Sequence, residues 1–131
     1  MSKPIKKALV IDDEQIDQML YKRVLKRSGL VEDAIGFQYA EKALDYLREN
    51  KPDDVDVIFL DINMPRMNGF EFLKQAEEEL GQKFSDLFVV MLTTSLDPSD
   101  RNRAEEFGAV RDFINKPLTA EHVAQVAEML H

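Results

Sequence analysis

The sequence predicts an α/β fold, a three-layer αβα sandwich around a parallel sheet. Short aliphatic runs alternate with amphipathic stretches, strand then helix, five times over. The runs "VIFL" and "LFVVML" are almost wholly apolar, as strands covered on both faces must be. A length of 131 residues, 44% hydrophobic and 32% charged, suits one domain with a real core and not comfortably two.

Each element has its own warrant. "IKKALVI" (5–11) is the first strand and stops at Asp12-Asp13. Residues 14–29 place Ile16, Met19, Leu20, Val24 and Leu25 at the spacing of one helix face, with Gly29 as a stop. Residues 30–37 form a second strand, interrupted by two acids. Residues 40–52 form a second helix using Ala43, Leu44 and Leu47, closed with the help of Pro52. "VDVIFL" (55–60) is a third strand ending at Asp61. Residues 69–81 are a third helix with Phe70, Leu73, Ala76 and Leu80 inward. "LFVVML" (87–92) is a fourth strand, leading to Thr93-Thr94-Ser95. Asp97 and Pro98 start a fourth helix that runs to about Phe107. "RDFIN" (111–115) is a short fifth strand ending at Lys116-Pro117, and 119–130 is the last helix, with Thr119 as its cap. Five such units fit a flavodoxin-like (βα)5 arrangement with strand order 2-1-3-4-5, although local pattern alone does not fix that order.

Bulk properties narrow the function. The apolar runs are far too short to cross a bilayer, and the N-terminus lacks the long apolar region of a signal peptide. Without cysteine there is no disulfide framework or thiolate metal site. The expectation is a cytoplasmic protein. Lys and Arg number 17 against 25 Asp and Glu, a net charge of −8, which argues against binding nucleic acid or anionic membranes. Neither G-x-x-x-x-G-K-[ST] nor G-x-G-x-x-G occurs, so nucleotide binding has no support.

Ligands of such sheets bind at the carboxyl ends of the strands, beside the switch point of the strand order. In order 2-1-3-4-5 that point lies between strands one and three. Asp12-Asp13 and Asp61 end those two strands, and Thr93 and Lys116 follow strands four and five. Three carboxylates at close range repel one another and persist where a cation sits among them. Oxygen-only ligands suit Mg²⁺. A lysine and a hydroxyl beside that metal can hold a phosphoryl group, and an aspartate there can be the nucleophile.

On the stretches "VIDDE" (10–14), "FLDINMPRMNGFEFL" (59–73), "VVMLTTS" (89–95) and "FINKPL" (113–118), the chain resembles the receiver domain of two-component response regulators. The likeness is to a stand-alone receiver, chemotaxis-regulator-like, and spans nearly all of the chain as a single domain, 1–131. It implies that Asp61 accepts phosphate from a histidine kinase or histidine phosphotransfer protein. It implies that Asp13, Asp61 and the backbone carbonyl of Asn63 ligate Mg²⁺, with Asp12 acting mostly through metal-bound water. Lys116 would contact a phosphate oxygen. Thr93 would move toward the phosphoryl group and Phe113 would turn inward behind it. The Lys116-Pro117 bond would be cis. Phosphorylation would reshape the surface of the fourth helix, fifth strand and fifth helix, where a downstream protein docks. The receiver would be no enzyme beyond its own phosphotransfer and slow autodephosphorylation.

Two features depart from the family's usual pattern. From Gly108 to Lys116 the chain runs eight residues, one more than the usual spacing, which places an extra residue near Val110-Arg111. It leaves Thr93 or Thr94 as the switch hydroxyl, with Thr93 preferred because it follows Leu92 directly. The switch aromatic is Phe rather than Tyr, so its output must be steric. Two other readings remain: a phosphorylation-independent, receiver-like interaction module, and an aspartate-nucleophile phosphohydrolase. The intact acid set argues against the first. The lack of Asp-x-Asp after strand one, and of a cap insertion, argues against the second. Met64 and Met67 are expected to pack in their loop, since thioethers do not suit a hard cation. His122, His131 and Glu77-Glu78-Glu79 are expected at the surface or in packing.

Overall fold

The computed structural model describes residues 3–50, 54–95 and 97–130. Pro52 and His131, given roles above, lie outside them. The elements run β1 (Ile5–Ile11), α1 (Gln15–Arg27), β2 (Val31–Phe37), α2 (Ala40–Asn50), β3 (Val57–Asp61), α3 (Gly69–Leu80), α4 (Gln82–Ser85), β4 (Val89–Thr93), α5 (Pro98–Ala104), β5 (Val110–Asn115) and α6 (Ala120–Leu130). The five strands form one parallel sheet in the order β2-β1-β3-β4-β5. This is the flavodoxin-like order.

Strand alternation sorts the core into two layers. Leu9 and Ile11, Ile58 and Leu60, and Val89 and Met91 face one side, with Ala43, Leu44 and Leu47 of α2, Phe72 and Leu73 of α3 and Phe84 of α4. Ala8 and Val10, Val57 and Phe59, and Val90 and Leu92 face the other, with Tyr21 and Leu25 of α1 and Val123 and Val126 of α6. β3, β4 and residues 8–11 of β1 are therefore filled from both sides, which is why those stretches are nearly continuous apolar runs, whereas Lys6 and Lys7 sit at the more open start of β1.

The ends follow local chemistry. Gly29 takes φ +74° after α1, a left-handed conformation that costs glycine nothing. Asp97 caps α5 by accepting from Ser99 N, with Pro98 in the first turn. Thr119 Oγ1 accepts from His122 N while His122 Nδ1 accepts from Thr119 N, so His122 helps cap α6.

Several boundaries differ from the sequence reading. Residues 82–85 form a short extra helix, so the expected fourth and fifth helices are α5 and α6. α5 ends at Ala104 rather than Phe107, because Glu106 and Phe107 close tight turns onto Arg103 and Ala104 instead of continuing the helix. β3 starts at Val57 rather than 55 and includes Asp61, and β4 is Val89–Thr93 rather than 87–92. The largest correction concerns α1. Ile16, Met19 and Leu20 are 70%, 64% and 46% exposed, so the stripe they form faces outward. The buried face is Gln18, Tyr21 and Leu25, anchored by the amide of Gln18.

The extra residue before Lys116 is accommodated as a bulge. Val89 pairs with Val110 and Val90 with Asp112, so Arg111 is the unpaired residue of β5. Beyond it the register is regular, and Thr93 lies opposite Asn115.

Candidate functional site at the carboxyl edge of the sheet

The turn after β1 carries Asp12 and Asp13. Asp12 is buried, and its Oδ1 accepts from Glu14 N at 3.0 Å, which folds the turn tightly before α1. Asp61 closes β3 and is 7% exposed. One oxygen each from Asp12, Asp13 and Asp61 lie within 4.8 Å of one another. Lys116 reaches in from the end of β5. Its Nζ lies 2.8 Å from Asp12 Oδ2, 3.0 Å from Asp17 Oδ2 and 3.5 Å from Asp61 Oδ1. Backbone pairing aims it there, since Lys116 N donates to Thr93 O at 2.8 Å. The Lys116-Pro117 peptide is cis.

The electrostatics are those of a cluster short of positive charge. Burial pushes the Asp61 carboxyl up to about 6, repulsion from Asp12 adds to it, and Lys116 opposes it. Burial likewise raises Asp12 against the pull of Lys116. Burial alone would lower Lys116, but its bonds to Asp12 and Asp17 and the charge of Asp61 outweigh that and raise it. One ammonium thus serves several carboxylates. The donor set is all oxygen and anionic, so it fits a hard divalent cation such as Mg²⁺. Both Asp12 oxygens are already engaged, which leaves Asp13 and Asp61 as the freer ligands.

The loop after Asp61 is packed from below and capped at its end. Met64 is buried and Met67 packs against the same core layer, so neither thioether is a ligand. Asn68 and Glu71 form a reciprocal capping box at the start of α3. Asn63 is exposed, just beyond β3.

The sequence profile of the response regulator receiver domain matches residues 8–128. The chain belongs to the response regulator receiver domain family. It is 33% identical over 122 residues to a chemotaxis protein CheY homolog of Campylobacter jejuni, covering 93% of this chain and 89% of that protein. A two-component response regulator of Cytophaga hutchinsonii has a similar structure, with a TM-score of 0.90 at 28% identity and 98% of each chain covered. Chemotaxis protein CheY4 of Vibrio cholerae gives 0.78 at 26% identity, covering 97% of this chain and 99% of that one. This is a CheY-like receiver domain of two-component signalling. No helix among the described residues is long and apolar enough to cross a membrane.

Within this receiver, Asp12, Asp13, Asp61 and Lys116 converge as the sequence suggested. Thr93 is fully buried at the end of β4, and its Oγ1 accepts from Ser95 N at 2.9 Å, whereas Thr94 is exposed. Ser95 Oγ in turn donates to Asp100 Oδ2 at 2.7 Å, tying the loop to α5. Phe113 is half-buried in β5, with the Arg101 guanidinium 5.6 Å from its ring centre.

Two residues went unread in the sequence. Asp17 is the second acid bound to Lys116. Gln18 is buried, and its Nε2 lies 2.8–3.0 Å from the carbonyl oxygens of Val10, Asp12 and Phe37. It clips the ends of β1 and β2 beneath the acid turn. A signal existed: Gln18 lies three residues before Tyr21 and seven before Leu25, on the inward stripe, where a polar residue needs partners.

Proposed function

We propose that this receiver accepts a phosphoryl group on Asp61 from a phosphohistidine of a histidine kinase or histidine phosphotransfer protein, in the cytoplasm. The observation that carries the reading is Lys116, held between Asp12 and Asp61 at the edge where three carboxylates meet. Asp13, Asp61 and the Asn63 backbone carbonyl would hold Mg²⁺, with Asp12 beside them. The ion would supply neutralisation of the acids and of the incoming phosphoryl oxygens. The ionised Asp61 carboxylate attacks phosphorus. A new O–P bond forms as the donor's N–P bond breaks, and the imidazole leaves with that electron pair. Lys116 takes up charge on one phosphoryl oxygen. Thr93, buried at the neighbouring strand end, donates a hydrogen bond from its hydroxyl to another.

The signal leaves through α5, β5 and α6, where a downstream protein docks. Thr93 is linked to α5 by way of Ser95 and Asp100. Phe113 borders a hollow of about 290 Å³ lined with Ser95, Asp97, Pro98, Arg101 and Asn115, space its ring can exploit. A two-state surface of this kind needs only a few kcal/mol of differential stabilisation, roughly what one charged group supplies. A protein donor has a surface to meet, because Ile16, Met19 and Leu20 are exposed on the helix that follows Asp12-Asp13.

The test is to add Mg²⁺ with beryllofluoride, a phosphoryl mimic, and in parallel a small phosphodonor with intact-mass detection. The expected result is a single adduct that Asp61→Asn abolishes. A chain that does not respond is an interaction module only, and one that turns over a phosphomonoester many times is a hydrolase.

A further inference from the structure

The ammonium of Lys116 has three N–H bonds and three carboxylates around it. The bonds to Asp12 and Asp17 are short, at 2.8 and 3.0 Å, while Asp61 is 3.5 Å away. The longest of the three contacts is the one that phosphoryl transfer needs. Asp17 stands in the first turn of α1, with its side chain 27% exposed. It is not among the three acids whose oxygens converge on a cation site. The Tyr21 ring, also on α1, lies 5.9 Å from the same ammonium. The lysine is therefore held from the α1 side by a carboxylate with no evident part in metal binding.

We propose that Asp17 is a positioning residue that restrains Lys116 and weakens the site's hold on a phosphoryl group. The inference rests on the phosphoacceptor reading of Asp61. A phosphoryl oxygen on Asp61 would have to draw toward itself an ammonium that Asp17 already holds at 3.0 Å on the α1 side. It must also approach in the field of the Asp17 charge. Both effects oppose the anion, so removing the carboxylate relieves both at once. A purely structural ion pair between α1 and the end of β5 would behave otherwise. Its loss would loosen the site and weaken every ligand together.

Calorimetric titration of the full chain separates these cases. Wild type, Asp17→Asn and Asp17→Glu are titrated with Mg²⁺ alone, then with beryllofluoride at saturating Mg²⁺. Asp17→Asn should bind beryllofluoride roughly three- to tenfold more tightly, the size expected of one partly screened charge at this range. Its Mg²⁺ affinity should not rise, because the variant has lost a negative charge. Asp17→Glu, which keeps the carboxylate, should bind much as wild type does. In wild type, the ¹³C resonance of the Asp17 carboxyl should shift on adduct formation as its bond to Lys116 lengthens. Equal or weaker beryllofluoride binding by Asp17→Asn, or an unmoved Asp17 resonance, overturns the proposal. An adduct in wild type without tightening in the variant defeats this inference alone. No adduct in wild type defeats the phosphoacceptor reading with it.

Discussion

A β-carbon on Gly69 would lie 2.6 Å from the carbonyl oxygen of Asp61 and 3.1 Å from Ile62 Cα. Both obstacles are main chain, so no side chain can rotate aside. Gly69 N donates to Ile62 O at 2.8 Å, which fixes the start of α3 against the end of β3. Gly69→Ala must therefore push apart the backbone that aims Asp61. The expected loss is about 1–3 kcal/mol of stability, with weakened beryllofluoride binding. Gly108→Ala is the control, since a β-carbon there meets nothing within 4 Å. Urea unfolding of the two variants checks this, and equal stability would contradict the close approach.

The metal-free fold should lose stability as Asp61 ionises. Its carboxyl is raised from 3.8 to about 6, so the folded state holds this proton more tightly than the unfolded state does. The favourable contribution is then fully present below 3.8 and is lost as pH rises through about 6. Asp12, also raised by burial, acts in the same direction. Asp61→Asn removes the ionisation. Above pH 6 it should be more stable than metal-free wild type by on the order of 1–3 kcal/mol, less whatever the contact with Lys116 contributes. Mg²⁺ should raise the unfolding midpoint of wild type and much less that of the variant. Thermal melts from pH 4 to pH 8, with and without Mg²⁺, measure both effects. A wild type that gains stability across this range relative to Asp61→Asn would reverse the sign.

Gln18→Leu tests the clip beneath the acid turn. The variant fills a similar volume but leaves the carbonyls of Val10, Asp12 and Phe37 without this donor. Phe37 O still accepts from Asp12 N at 3.0 Å, so the cost falls chiefly on Val10 and Asp12. An unpaired buried carbonyl costs about 1–3 kcal/mol when water cannot reach it. Gln18 Oε1 is itself buried without a partner among the described residues, which offsets part of the loss. A net destabilisation of about 2–4 kcal/mol is expected. Mg²⁺ should also bind more weakly, because the backbone that carries Asp12 and Asp13 is freed. Unchanged stability and Mg²⁺ affinity would mean that the turn holds itself.

How much of this was legible in the sequence depends on what each signal measures. β3, β4 and the second half of β1 were readable because burial on both faces leaves apolar runs. Asp61, Asp12-Asp13 and Lys116 were readable because each sits where an apolar run stops, and the strand order then brings them to one edge. α1 misled because Ile16, Met19 and Leu20 repeat at helical spacing on the exposed side. Periodicity reports a face but not which way it points. The inward face depends on Gln18, whose value lies in carbonyls of β1 and β2 that only the tertiary structure places nearby. Asp17 was unreadable for the same reason, since its partner Lys116 is 99 positions away. Arg111 was half legible. Spacing showed one residue too many, but only pairing with β4 identifies which one bulges.

Phe113 is the residue most exposed to test as the steric relay. Its ring packs against the first core layer, with Arg101 over it, and lines both the hollow of about 290 Å³ and another of about 120 Å³ that Ala104, Glu105 and Arg111 also line. It makes no hydrogen bond through its ring, so its only output is volume. Phe113→Ala should cost about 1–3 kcal/mol in stability, as for a half-buried aromatic whose cavity is already partly open. Beryllofluoride should still bind, since the carboxylates and Lys116 are intact. Amide chemical-shift changes near Asp61 and Thr93 should therefore persist on adduct formation. Those at Arg101 in α5 and through α6 should shrink to a small fraction of their wild-type size. Should the distant shifts persist undiminished in Phe113→Ala, coupling runs through Ser95 and Asp100 instead, and Ser95→Ala becomes the variant that silences α5.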